Sequence, residues 1–159
     1  MNNRIDEYYS CVSDLTQLDE IQRLDGFTQH LNTSRLEHCV NVSYYSYCIC
    51  KKFGWDYRSA ARAGLLHDFY LYDRHEEKES PKHHISAHAK IALNNSQKIT
   101  SLNKIEADAI VKHMWPMTMR FPKYKESYVV NLVDTFCAAY EFVKQTKRRA
   151  MEYLQPSTV

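Results

Sequence analysis

His67 and Asp68 stand side by side at the end of the small, apolar run Ala63-Gly64-Leu65-Leu66. A helix whose inner face is Ala, Gly and Leu and which ends on His-Asp carries both side chains towards an interior. Buried ionisable groups need compensating partners, and an imidazole beside a carboxylate suits a borderline first-row metal ion. His-Asp dipeptides are common by chance. This one gains weight because four more such residues, His38, His88, His113 and Asp134, each fall within a helical segment of their own.

Those segments follow from caps and period. A first helix, broken once, is expected over 3–24, ended by Asp25-Gly26. Ser34-Arg35-Leu36-Glu37 reads as a capping box opening a helix to Phe53, with His38, Val42, Tyr45 and Ile49 on one stripe. Gly54 stops it, and Asp56 caps the next helix, which reaches His67-Asp68. The pattern dissolves over 69–79 and restarts at Ser80-Pro81. Asn103 with Glu106 caps a helix to about His113, Pro116 prevents its continuation, and a long last helix is expected over 126–153.

On these helices the polar residues fall on apolar faces. His88 has Ile85, Ile91 and Ala92 around it, His113 follows Ile105, Ala109 and Ile110, and Asp134 sits among Val130, Val133, Cys137 and Ala138. A lone histidine of this kind is more often a satisfied core residue than a ligand, and Asp134 alone would suit a buried salt bridge. A set of such residues, all on inward faces, is poorly explained in that way.

The pattern His38, then His67-Asp68, then a distant Asp134 resembles the HD superfamily of metal-dependent phosphohydrolases. The context is similar too: Arg35-Leu36-Glu37-His38, Ala63-Gly64-Leu65-Leu66-His67-Asp68 and Val130-Asn131-Leu132-Val133-Asp134. His88 and His113 fill the two positions added in the branch that binds two metals. The chain looks most like the small single-domain bacterial HD proteins. The resemblance implies an all-α helical bundle of about six to eight helices without a sheet, one domain over 1–159, and a metal-site core over 35–141.

It also implies roles. His38, His67, Asp68 and Asp134 would hold one metal and His88 and His113 a second, with Asp68 bridging and counted as the catalytic residue. The ions would be one or two divalent transition metals (Fe, Mn, Ni or Zn), acting on a nucleotide or other small phosphoester through a metal-bound hydroxide. The same ligands loaded with mixed-valent iron support an O₂-dependent oxygenase in a minority of the superfamily, and a non-catalytic metal- or ligand-sensing module is a third possibility. The cyclic-dinucleotide branch is disfavoured because its Gly-Tyr-Pro signature is absent.

Weaker signals surround this set. His84, one turn before His88, competes with it, and His88 is preferred because Ala92 matches the small residue that follows the ligand in related proteins. His75 and His83 read as surface residues, and His30 as a loop residue near the mouth of the site. Arg35, Lys112 and Arg120 are candidate phosphate contacts, Asp73 and Lys112 candidate general acids, and Tyr70 and Tyr72 candidate platforms for a base.

Composition bounds the rest. A chain of 159 residues suits one well-cored domain. Hydrophobic residues at 44%, charged residues at 25% and a net charge of +2 imply no duplex nucleic-acid surface. No apolar run reaches membrane-span length and no signal-peptide core opens the chain. Five cysteines read as small buried hydrophobes in a reducing cytoplasm.

Overall fold

The computed structural model describes residues 3–30, 33–72 and 81–154, with 30, 81–86, 152 and 154 described by their backbone alone. Seven α-helices account for most of these residues. They are α1 (Asn3–Thr16), a single turn α2 (Asp19–Gln22), α3 (Arg35–Lys52), α4 (Tyr57–Leu66), α5 (Pro81–Ile99), α6 (Lys104–Lys112) and α7 (Lys125–Leu154). A 3₁₀ turn over Arg23–Gly26 follows α2, so the expected break in the first helix falls at Gln17-Leu18.

The expected bundle is therefore present, but the expectation of no sheet needs correction. Thr28–His30 (β1) and Thr33–Ser34 (β2) form a small antiparallel pair. Strands of three and two residues are too short for a period-two pattern to register in sequence.

The helix starts obey local chemistry. The Ser34 hydroxyl accepts from the Glu37 N–H at 3.1 Å, and the Asp56 carboxylate from the Ser59 N–H at 3.0 Å. Asn103 and Glu106 form a reciprocal capping box on α6. Gly54, at a φ of +66°, supplies the left-handed turn that ends α3.

One glycine fixes the geometry on which the site depends. A Cβ on Gly64 would lie 2.7 Å from the Ser43 Cα, so α3 and α4 cross almost backbone to backbone. Ser43 locks that crossing by donating to the Ala61 carbonyl at 2.7 Å. Away from the contact, α3 leads back to His38 and α4 leads on to His67, and the two rings come within 5.4 Å. Buried Arg62 ties α4 to its surroundings, reaching Glu106 at 3.0 Å, Asp14 at 2.7 Å and Thr100 at 3.0 Å. Cys11, Cys39, Cys50 and Cys137 are buried free thiols and Cys48 is half-buried. Among the described residues, no helix is long and apolar enough to cross a membrane.

Candidate metal centre

The six candidate ligands come together in two adjoining groups. His38, His67 and Asp134 form one and Asp68, His88 and His113 the other, each with its donor atoms within 4.8 Å of one another. Five are buried and Asp134 is half-buried.

Each imidazole is aimed by a contact on its far side. His67 follows α4 directly and its Nδ1–H donates to the Gly64 carbonyl at 2.8 Å. His113 follows α6 in the same way and donates to the Ile110 carbonyl at 2.7 Å. Both use a carbonyl that the end of a helix leaves without an intrahelical partner, and both thereby turn Nε2 inward as the nitrogen that faces the other ligands. His38 is aimed differently. Its Nδ1 lies 3.2 Å from both Glu141 oxygens and its Nε2 3.0 Å from Asp134 Oδ1.

Asp68 joins the groups. Its Oδ1 lies 3.5 Å from Nε2 of both His88 and His113, and its Oδ2 lies 3.7 Å from His67 Nε2. His67 Nε2 is also 3.5 Å from Asp134 Oδ1. Among the described residues, His67 Nε2 and Asp68 Oδ1 are buried without a hydrogen-bond partner. Such atoms are costly unless something fills the space they face.

The electrostatics point to a cation. Burial would lower the pKa of His38, but hydrogen bonds to Asp134 and Glu141 raise it to about 10. His67, against the same effect of burial, is raised well above its usual value by Asp68 and Asp134. Burial works to raise Asp68, yet His67, His113 and His88 hold it well below the ordinary carboxylate range. Asp134 is lowered in the same sense by His67 and His38. Without metal, protons supply the positive charge that these carboxylates demand.

The donor set fits divalent metal. It is imidazole and carboxylate without thiolate, as borderline first-row ions prefer. The His88 and His113 Nε2 atoms are 2.9 Å apart. Two nitrogens at right angles about one ion, each about 2.1 Å from it, lie at a similar separation.

Two residues that sequence reasoning missed complete the frame. Glu141 lies seven residues after Asp134, with Cys137 between them, so both carboxylates share one stripe of α7; that spacing was a usable signal. Gln29, on β1, donates from Nε2 to Asp68 Oδ2. Arg35 Nε donates to Gln29 Oε1 at 2.9 Å, which forces the amide nitrogen towards Asp68. No sequence pattern flagged Gln29.

Of the expected phosphate contacts, Arg35 is placed otherwise. Arg35 is fully buried, with Nη1 donating to the Tyr70 carbonyl at 2.6 Å and the Tyr72 carbonyl at 3.2 Å. Its guanidinium carbon lies 3.7 Å from the Tyr70 ring centroid. It therefore braces Gln29 and the loop after Asp68 and does not reach outward. Tyr70 is buried between Arg35 and Tyr72, whose ring centroid is 4.7 Å away, so its ring is not available to a base. Lys112 pairs with Asp108, and Arg120 is exposed on the loop after α6. Asp73 and His75, together with the side chains of His30, His83 and His84, lie outside the described residues.

The family model of the HD domain matches residues 35–146, most of the chain and all six clustered residues. The chain belongs to the HD-domain family, whose members are generally metal-dependent hydrolases. Neither the curated proteins nor the solved structures hold a match to it.

Proposed function

We propose that this protein is a divalent-metal-dependent phosphohydrolase acting on a nucleotide or another small phosphoester. The observation that carries the reading is the placement of Asp68, with one oxygen towards His88 and His113 and the other towards His67. A carboxylate so placed suits two ions sharing it, His38, His67 and Asp134 completing one side and His88 and His113 the other. Bound there, a pair of divalent ions would lower the pKa of a water, polarise a phosphoryl group and leave positive charge that Asp68, Asp134 and Glu141 do not neutralise.

The chain's own residues supply position and proton control. Glu141 keeps His38 Nδ1 protonated, so that Nε2 is the nitrogen offered to the site. The Gly64 and Ile110 carbonyls do the same for His67 and His113. Gln29, held by Arg35, fixes the Asp68 carboxylate plane so that its oxygens face different groups. Trp115 and Met114 follow His113 as half-buried residues, and Asn131 Nδ2 pins the turn by donating to the Trp115 carbonyl at 2.6 Å. Asp134, the one half-buried ligand, marks the side from which substrate enters.

A steady-state assay on nucleoside mono-, di- and triphosphates tests the reading, run under air and under nitrogen. Phosphate release abolished by EDTA, restored by a first-row divalent ion and indifferent to O₂ is the expected result. No release from any phosphoester by metal-replete protein, or product formed only with iron and O₂, would overturn it.

A further inference from the structure

Helix α7 has two faces. One carries Val130, Val133, Cys137, Glu141 and Gln145 into the domain, where all five are buried. The other carries Leu132, Phe136, Ala139, Val143, Thr146, Ala150 and Tyr153, and every one is exposed. The spacing on this outer face is 4-3-4-3-4-3 over three heptads, the period of a helix that packs along another helix. Leu132, Phe136, Val143 and Tyr153 are 63%, 68%, 64% and 91% exposed, and Tyr140 and Phe142 flank the seam at 59% and 60%.

We propose that this seam is the interface of a two-fold homodimer, in which the α7 helices of two copies pack antiparallel about Glu141. Three observations select a second copy in that orientation. The large apolar side chains from Leu132 to Val143 expose on the order of 550 Å², already near the upper end of the largest patch on a typical monomer. Thr146, Ala150, Met151 and Tyr153 bring the surface towards the ~800 Å² per partner of a standard interface. The side chains are also self-complementary when the helices run in opposite directions. Leu132 then faces Ala150, Phe136 faces Thr146 and Ala139 faces Val143, a large residue against a smaller one in each of these layers.

Charge gives the same answer. Lys144, Lys147, Arg148 and Arg149 crowd the C-terminal half of α7. Parallel pairing would set these clusters against each other, whereas antiparallel pairing sets Arg149 beside Thr135 of the other copy. No described residue after Gln145 in α7 is buried within the domain. In the dimer these last turns lie along the exposed Leu132 and Tyr128 end of the second copy, where the exposed Phe121 and Tyr128 both pack on Trp115.

Light scattering on the metal-loaded full chain at tens of micromolar should return twice the 18.8 kDa chain mass. Phe136→Lys should weaken the dimer at least a hundredfold while leaving helical circular dichroism and metal content unchanged. Ala150→Lys should do the same, and it lies on turns that do not pack on the domain, so a folding defect cannot mimic its effect. Orientation is read by mild oxidation of Leu132→Cys and Ala150→Cys proteins. A mixture of the two should cross-link, whereas neither alone should, because like positions lie roughly 27 Å apart along the antiparallel pair. A monomer at these concentrations, or a dimer that survives both lysine variants, would overturn the proposal. Efficient cross-linking of each cysteine variant with itself would overturn the antiparallel arrangement.

Discussion

The two halves of the metal centre are built differently. His38, His67 and Asp134 come from α3, the end of α4 and α7, three helices in mutual contact, and their crossing is locked at Gly64 and Ser43. A second carboxylate, Glu141, stands behind His38. The other half takes His88 from α5, which rests chiefly on α6, and among the described residues it has no carboxylate beyond the shared Asp68. A preformed, anionic half should hold its ion tightly. A half that depends on a borrowed ligand and a less anchored helix should hold its ion loosely.

The largest effect falls on the shared residue. Asp68→Ala should lower phosphoester turnover by roughly three orders of magnitude or more, because it damages both halves at once. Bound metal, read by elemental analysis, should fall below one equivalent per chain. Retention of two equivalents would break the comparison at its centre.

The paired histidines sharpen it. His88→Ala should lose one ion and keep the other, whereas His67→Ala should lose the tightly held one. Competition with a graded series of chelators separates the two affinities. Equal loss from both variants would mean that the halves are not distinct. Metal uptake by either half should release protons and weaken as pH falls, because imidazole must be neutral to bind.

A smaller effect is expected behind His38. Glu141→Gln keeps a hydrogen-bond acceptor but removes a charge, and should weaken the tighter ion about tenfold, within the range for residues that orient ligands. The looser ion should be untouched.

The smallest effect concerns the frame of the second half. Burial would raise the Asp108 carboxyl, but Lys112, the Lys123 N–H and Ser127 hold it below the ordinary carboxylate range. A carboxyl lowered on folding contributes stability that is present above its unfolded pKa of about 3.9 and is lost as pH falls towards the folded value. Denaturant titrations should therefore show Asp108→Asn less stable by about 1 kcal/mol at pH 7. The difference should shrink below pH 4.

Much of this comparison is legible in sequence because helices announce themselves. The caps at Ser34, Asp56 and Asn103 and the stop at Gly54 place α3, α4 and α6 within a residue or two, and with them His38 near the start of α3 and His67 and His113 just past the ends of α4 and α6. What was not legible depends on tertiary contact. Five residues of hairpin carry no readable period, so β1, and Gln29 with it, had no signal. Arg35 looked like a phosphate contact because sequence does not distinguish a solvated guanidinium from one enclosed by Gln29, Tyr70 and Phe27. The Tyr70 ring, enclosed between Arg35 and Tyr72, is hidden from sequence for the same reason. Glu141 was legible through its spacing from Asp134, but only to a reading that expected a carboxylate behind a histidine.

The most direct measurement is an anomalous difference map from crystals of the full chain soaked in Mn²⁺. The account predicts two peaks about 3.5–4 Å apart, one beside His38, His67 and Asp134, the other beside His88 and His113, with an Asp68 oxygen on each. A single peak, or two peaks of which only one contacts Asp68, would contradict it.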